Sequence, residues 1–111
     1  MIVYRLTTDD AMERLELNDG AVVKALQEAV GGPFEIVRLS DYTGFIVNEE
    51  GQLQALAVNA LASVIASRPL FGPVVAVGFE STPKGEDFTS TPAWFVENLR
   101  AMTGGGNGDA E

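Results

Sequence analysis

Four segments decide the fold of this chain: GGPFEIVRL at residues 31–39, GFIVNEEGQL at 44–53, NALASVIAS at 59–67 and GPVVAVG at 72–78. Gly31 and Gly32 supply the left-handed backbone that ends a helix, and Pro33 prevents the helix from continuing before a β-prone run begins. The last segment opens a nearly all-apolar run through residue 79, which is typical of a central strand. Together these segments predict a core of the α+β class.

The N-terminal part adds one strand and one helix. Residues 2–6 are β-prone and predict a first strand. Asp19 is placed to cap a helix over residues 20–30, in which valine and leucine recur at helical spacing. Residues 7–18 are acidic, and their pattern fits either a helical turn or a loop.

A turn signal follows residue 47. Asn48 can bond to nearby backbone groups and Gly51 can take a positive φ, which predicts a bulged hairpin that continues towards Leu53. Asn59 then caps a predicted helix over residues 60–67.

The C-terminal part combines a polar stretch with an apolar helix. Residues 81–91 are rich in turn formers and predict a loop. Thr91 and Pro92 then begin a helix with proline at its first position. The predicted apolar surface of this helix consists of Trp94, Phe95, Leu99 and Met102.

These elements predict one α+β domain over residues 1–103. Its sheet is mixed or antiparallel, has about four or five strands, and is covered by two or three helices. Residues 104–111 are polar and glycine-rich and predict a disordered tail, whose deletion we expect to leave the melting temperature nearly unchanged.

Composition disfavours several functional classes. Sixteen acidic residues stand against seven basic ones, and the net charge of −9 at pH 7 opposes direct binding to nucleic acid. The chain contains neither cysteine nor histidine, so it lacks a thiolate nucleophile and the commonest general base. We therefore expect neither catalysis nor a cofactor.

The sequence predicts a cytoplasmic protein that does not associate with a membrane. Its first residues lack the basic start and the apolar run of a secretory signal. The longest apolar stretch contains Arg68, Pro69, Gly72 and Pro73, and it falls short of the roughly 20 apolar residues that cross a bilayer.

Two arginines in predicted strands are candidate ligand-binding residues. Arg5 and Arg38 can project from one face of the sheet and hold a small anion, such as a nucleotide, with Tyr4 or Tyr42 at the edge of the site. The alternative is that both arginines are exposed and paired with nearby acids. Asn59 is either a simple helix cap or an amide that contacts the ligand.

Trp94 and Phe95 are candidate partner-binding residues. Adjacent positions of a helix face different directions, so one ring can pack inward while the other joins an interface. The interface partner is either another protein or a second copy of the chain, because exposed aromatic side chains anchor interfaces of both kinds. The alternative is that the aromatic residues serve the core alone.

Three further groups favour structural roles. Gly31 and Gly32 follow a helix, whereas a phosphate-binding glycine loop precedes one. Residues 48–50 place three oxygen-bearing side chains on one turn but lack the ligand spacing of a calcium loop. The acidic pairs at 9–10 and 86–87 favour solvated loop charges over a metal site or an acid–base pair, because adjacency alone does not remove them from water.

A set of short motifs resembles a known family. The motifs are Val30-Gly31-Gly32 with Glu35, Val47-Asn48-Glu49-Glu50-Gly51 with Leu53, Asn59 with Ala62, and Gly72-Pro73-Val74-Val75. In this order and spacing they resemble the domain-of-unknown-function family 3846, which is associated with phages and mobile elements. The resemblance implies a small phage or mobile-element protein without an established catalytic reaction.

Resemblance and composition lead to one functional expectation and one alternative. We expect a non-enzymatic accessory protein that binds another protein, for example to inhibit a host or defence factor. The alternative is a protein that binds a small anionic ligand through its arginines. An enzyme that uses carboxylates or a metal is disfavoured because histidine and cysteine are absent.

Overall fold

The computed structural model describes residues 1–103, and within them it has six strands and three helices. In chain order these are β1 (Ile2–Leu6), β2 (Met12–Glu16), α1 (Val22–Val30), β3 (Phe34–Arg38), β4 (Thr43–Asn48), α2 (Ala60–Ala66), β5 (Val74–Thr82), β6 (Gly85–Thr89) and α3 (Ala93–Met102). All strand pairs are antiparallel and form one sheet in the order β2-β1-β5-β4-β3, with β6 paired to β5. The α+β class is confirmed, and the sheet is antiparallel. The predicted tail, residues 104–111, lies outside the described residues.

The central strands are covered on both faces. Along β5, Val74 and Ala76 belong to a hydrophobic cluster with residues of α2 and α3. The alternating Val75 and Val77 belong to a second cluster with residues of α1. Two helices therefore lie on one side of the sheet and one helix on the other, which explains why this strand is apolar at successive positions.

β5 holds the sheet together because three strands pair with it. β4 lies along one edge, while β1 pairs with residues 74–76 and β6 with residues 78–82 on the other. Where β1 and β6 meet, the Ile2 N–H donates to Ser90 Oγ at 2.9 Å and the Thr91 N–H donates to the Ile2 carbonyl at 3.0 Å. The first strand is thus joined to the segment that leads into α3.

The predicted first helix is confirmed over Val22–Val30, but Asp19 does not cap it. Instead, Asn18 caps a 3-10 turn (Asp19–Ala21) that precedes α1, and its side chain accepts a hydrogen bond from the Gly20 N–H at 2.9 Å. Gly31 ends α1 in the left-handed conformation with φ 85°, as its position predicts. The helix-stop interpretation of the double glycine is therefore confirmed.

Residues 7–18 contain the strand β2, so the expectation of a helical turn or a loop was wrong for residues 12–16, whereas the residues on either side form turns and loop. A tight turn with Asp10 at φ 66° reverses the chain, and β2 then pairs with β1. Met12 packs against one hydrophobic cluster and Leu15 against the other. A spacing of three residues suits one face of a helix, but it also places two side chains on opposite faces of a strand.

The hairpin predicted after Asn48 is also wrong. Residues 49–55 form successive turns, and Leu53 is exposed. Gly51 does not have a positive φ: the described glycines that do are Gly31, Gly72 and Gly85. Gly51 is buried, and a Cβ at this position would lie 3.0 Å from the Phe71 carbonyl oxygen and 3.2 Å from Phe71 Cβ. The constraint on this glycine is therefore a close approach between two chain segments.

Gly51→Val is expected to lower the free energy of unfolding by about 1–3 kcal/mol, because its side chain must displace the Phe71 segment. Denaturant melts of Gly51→Ala and Gly51→Val test this, and the loss should grow with side-chain size. Gly20→Ala is the control, since its Cβ would meet Asn18 Oδ1 at an ordinary 3.5 Å. Equal midpoints for all three variants would refute the packing role.

The polar stretch at residues 81–91 contains the strand β6, where a loop was predicted. The Thr82 hydroxyl donates to the Gly85 carbonyl at 2.6 Å across the tight turn, and Gly85 has φ 121°. Among the five residues of β6, Phe88 carries the apolar contact to the core, so alternation was too weak to indicate a strand. The last helix is confirmed, although the Thr91 hydroxyl donates to the Ala76 carbonyl at 2.6 Å instead of capping it.

Candidate functional site

Arg5 is occupied by contacts at the edge formed by β1 and β2. Its Nε donates to Glu13 Oε1 at 2.7 Å, and its Nη1 donates to the Ala29 carbonyl at 3.1 Å. The guanidinium therefore ties the first hairpin to the last turn of α1.

Arg38 lies on β3, at the opposite edge of the sheet, and its guanidinium is also occupied by contacts. It forms an ion pair with Glu86, and its guanidinium lies 4.1 Å from the centre of the Phe79 ring. Its Nη1 also donates to the carbonyls of Ser40 and Asp41, both at 3.2 Å. Arg38 thereby connects the β3–β4 turn to the β5–β6 hairpin.

The structure does not bring the predicted anion-site residues together. β5 and β4 separate β1 from β3, so Arg5 and Arg38 are three strand spacings apart, or roughly 14 Å. Tyr42 lies in the exposed β3–β4 turn, with 67% of its surface accessible. Each arginine instead pairs with an acid, as the alternative interpretation held.

Arg38→Gln is expected to loosen the β3–β4 turn, because it removes a charged donor to two turn carbonyls and the stacking on Phe79. Hydrogen exchange of the Ser40 and Thr43 amides, which donate hydrogen bonds within the turn, should accelerate severalfold. Arg5→Gln is the matched control and should leave these amides unchanged. Equal exchange in the two variants would show that Arg38 does not hold the turn.

Asn59 is a helix cap with a second structural role. Its Oδ1 accepts from the Ala62 N–H at 3.2 Å, as predicted for a cap. Its Nδ2 donates to the carbonyls of Leu6 and Gly72, both at 3.0 Å. The residue is 0% exposed, so its amide faces no solvent-filled site.

The aromatic pair on α3 is split between core and surface. Phe95 is buried and stacks on Phe45, with ring centroids 6.0 Å apart. Trp94 is 53% exposed, and its ring centroid lies 5.6 Å from that of Phe95. The aromatic rings thus run without a break from the sheet core to the surface.

A groove lies beside Trp94, between α3 on one side and α2 and the β3–β4 turn on the other. We call it the α3 groove; it has a volume of about 290 Å³. Its lining residues are Leu39, Ser40, Thr43, Ile65, Trp94, Phe95, Asn98, Leu99 and Met102. None of these side chains is charged. The buried floor contains Thr43, Phe95 and Leu99, and the hydroxyls of Ser40 and Thr43 lie 2.7 Å apart.

The exposed side of the α3 groove carries two large apolar side chains, Trp94 and Met102. Met102 is 50% exposed, almost as much as Trp94, and Asn98 lies between them. These three residues recur every four positions along the helix and so form one stripe. The sequence indicated Trp94 and Met102 through this spacing. It gave no sign of Leu39 and Ile65, because their place opposite α3 depends on the strand order.

The lining residues of the α3 groove offer hydroxyl, amide, indole and apolar groups. Its Ser40 and Thr43 hydroxyls have no acid or base among the lining residues to activate them. Across residues 1–103, no cluster of three or more carboxylates is arranged to hold a metal ion. The Asp87 carboxylate accepts the Phe88 N–H at 3.0 Å, so one acid of the 86–87 pair caps backbone and the other pairs with Arg38.

No helix in the described part of the chain is long and apolar enough to span a membrane. Searches of curated proteins and of solved structures returned no match. A scan against protein-family models matched residues 1–104 to the family described as "Domain of unknown function (DUF3846)". The match covers nearly the whole chain and extends well beyond the motifs that suggested it. The chain therefore belongs to the DUF3846 family.

Proposed function

We propose that this chain is a non-enzymatic accessory protein that binds another protein through the α3 groove. The setting we propose is the cytoplasm of a cell that carries a phage or mobile element, and it rests on the family resemblance. A host factor, including a defence protein, is the partner that this setting favours.

The observation that supports a binding role is the half-exposed Trp94 on the rim of an uncharged groove. A large aromatic side chain loses little conformational entropy on binding, and tryptophan is enriched among residues that dominate interface energies. Met102 adds a flexible apolar side chain of the kind enriched in interfaces. A buried floor supports both residues, so the surface is already formed before a partner arrives.

The chemistry of the lining favours a side chain of a protein over a nucleotide as the occupant of this groove. The α3 groove, at about 290 Å³, lies at the lower end of the roughly 300–1,000 Å³ that small-molecule sites span. None of its lining residues presents a cation to a phosphate. The small-ligand alternative depended on Arg5 and Arg38, which pair with acids at separate places.

Capture experiments with two matched variants test the proposal. Trp94→Ser removes the exposed ring, while Val64→Ser removes an apolar side chain that is 71% exposed on α2 and does not line the groove. Immobilised wild type and both variants are incubated with lysate of the host cell, and the bound proteins are identified by mass spectrometry. We expect a partner that wild type and Val64→Ser retain and Trp94→Ser loses.

Thermal melts must first show that both variants keep the wild-type fold. Light scattering on the same samples separates a foreign partner from self-association, because a second copy would change the molar mass of the wild type but not of Trp94→Ser. Identical partner profiles and identical masses for wild type and Trp94→Ser would refute binding through this groove.

A further inference from the structure

We infer that the occupant of the α3 groove is a segment of another protein that carries one bulky apolar side chain beside lysine or arginine. This inference rests on the proposed function and specifies the chemistry of its partner. It follows from the groove's volume, from the acidic residues that neighbour its lining residues along the chain and from the hydrogen-bonding groups on its rim.

The groove accommodates an apolar anchor of limited size. Its volume of about 290 Å³ suits one or two large side chains. Phe95 and Leu99 present carbon atoms on its floor, and the Thr43 hydroxyl there lies 2.7 Å from the Ser40 hydroxyl. Its wall from Leu39 and Ile65 is apolar as well. A leucine, methionine or phenylalanine of the partner therefore fits where a charged residue would lose its hydration without compensation.

Two acidic residues are near neighbours, along the chain, of residues that line the groove. Asp41 directly follows the lining residue Ser40, and Glu97 lies one helical turn from Trp94 on the exposed face of α3. Both residues are exposed, and neither forms an ion pair within residues 1–103. Carboxylates in these positions attract a cation next to the seated apolar side chain.

The nearby arginines do not cancel this charge. Arg100 of α3 points to the far side of its helix, where its guanidinium lies 5.9 Å from the centre of the Tyr4 ring on β1. Arg38 contacts the turn backbone, but its charge is balanced by Glu86. Neither arginine forms an ion pair with Asp41 or Glu97 among the described residues, and the chain as a whole has a net charge of −9.

The rim also supplies hydrogen-bonding groups that the fold leaves unused. The Trp94 indole N–H and the Asn98 amide make no hydrogen bond with any other described residue, and both lie on the stripe along the groove. A polypeptide has carbonyl groups and N–H groups at every residue that can pair with them. These groups orient a peptide backbone across α3 and keep its apolar side chain over the floor.

Charge argues against a second copy of the chain as the occupant. Two chains with a charge of −9 each repel one another, and self-association would bring Asp41 and Glu97 of both rims together. A partner segment with lysine or arginine gains attraction from the same field.

Trp94 provides a direct test because it is the only tryptophan of the chain. Its emission reports on the groove without a label. Three peptides of equal length are titrated: leucine flanked by lysines, alanine flanked by lysines, and leucine flanked by glutamates. We expect a saturable emission shift with the first peptide, roughly tenfold or greater loss of affinity with the second, and no saturable shift with the third.

Paired charge variants locate the cation. The double variant Asp41→Asn with Glu97→Gln should bind the leucine–lysine peptide roughly two- to fivefold more weakly than wild type. Glu28→Gln with Glu80→Gln removes the same charge from α1 and β5 and should have a smaller effect. Because Trp94 remains in place, both double variants are read by the same emission signal.

Three outcomes would overturn the inference. One is a glutamate peptide that binds as tightly as the lysine peptide, another is an equal effect of the two double variants, and the third is no saturable shift with any peptide. None of these outcomes depends on the lysate capture, so a partner lost by Trp94→Ser would still support the proposed function if the inferred chemistry failed.

Discussion

Asn59→Ala is expected to lower the free energy of unfolding by about 3–7 kcal/mol, enough to unfold a marginally stable domain. The substitution removes the cap of α2, whose loss costs about 1 kcal/mol in typical helices. It also leaves the carbonyls of Leu6 and Gly72 without the buried amide that bonds to them, and each such loss costs about 1–3 kcal/mol. Equilibrium unfolding in urea measures the sum.

Asn18→Ala is the matched control for this substitution. Asn18 Oδ1 likewise accepts a hydrogen bond from a backbone N–H, that of Gly20, but Asn18 lies exposed at the start of a 3-10 turn. Water can replace that bond, so a loss of less than about 1 kcal/mol is expected. If both variants lost the same small amount of stability, Asn59 would act as a simple helix cap. Its hydrogen bonds to the Leu6 carbonyl of β1 and to the Gly72 carbonyl before β5 would then contribute nothing.

Gly78→Ala is expected to destabilise the protein by about 2–4 kcal/mol, because a single methyl group has no space at this point of β5. Its Cβ would lie 2.5 Å from the Ser90 carbonyl oxygen, 2.9 Å from Thr89 Cγ2 and 3.1 Å from Pro92 Cδ. The nearest atom belongs to the backbone, so relief requires the segment between β6 and α3 to move. A lower midpoint in thermal unfolding is the expected result.

Gly20→Ala again serves as the control, since its Cβ meets only an ordinary contact and should change stability little. A second readout follows from the position of Gly78, because displacement of the Ser90 segment should expose the Ile2 N–H that bonds to Ser90 Oγ. Faster hydrogen exchange at Ile2 in Gly78→Ala would locate the strain. A Gly78→Ala midpoint equal to that of wild type would contradict the close packing of these segments.

Elements with a local cause were predictable from the sequence. The end of α1 at Gly31 and the cap of α2 by Asn59 depend on residues within one helical turn, so composition and spacing sufficed. The apolar run of β5 was equally clear. β2 and β6 could not be predicted, because each pairs with one strand only and most of its side chains are polar. The alternation of apolar and polar residues that indicates a strand is therefore weak in both.

Constraints between distant segments were the main source of error. The sequence predicted a turn role for Gly51, but the residue is restricted by the close approach of Phe71. Phe71 lies 20 residues further along the chain, so neighbouring residues do not reveal this contact. The same limit applies to the α3 groove. Trp94 was identifiable from its helix, whereas the wall opposite depends on how β3, β4 and α2 are arranged around α3.

The position of β5 has a consequence for the order of folding. During synthesis β1 and β2 leave the ribosome first, but a two-stranded hairpin is marginal in water. The edge of β1 that faces away from β2 gains a paired strand only after β5 has been synthesised. The hydrogen bonds of β1 with Ser90 and Thr91 form later still. The second edge of β4 likewise gains a paired strand only when β5 is present. We therefore expect slow, late folding dominated by non-local contacts, with a nascent chain that depends on chaperones until residue 91 has emerged.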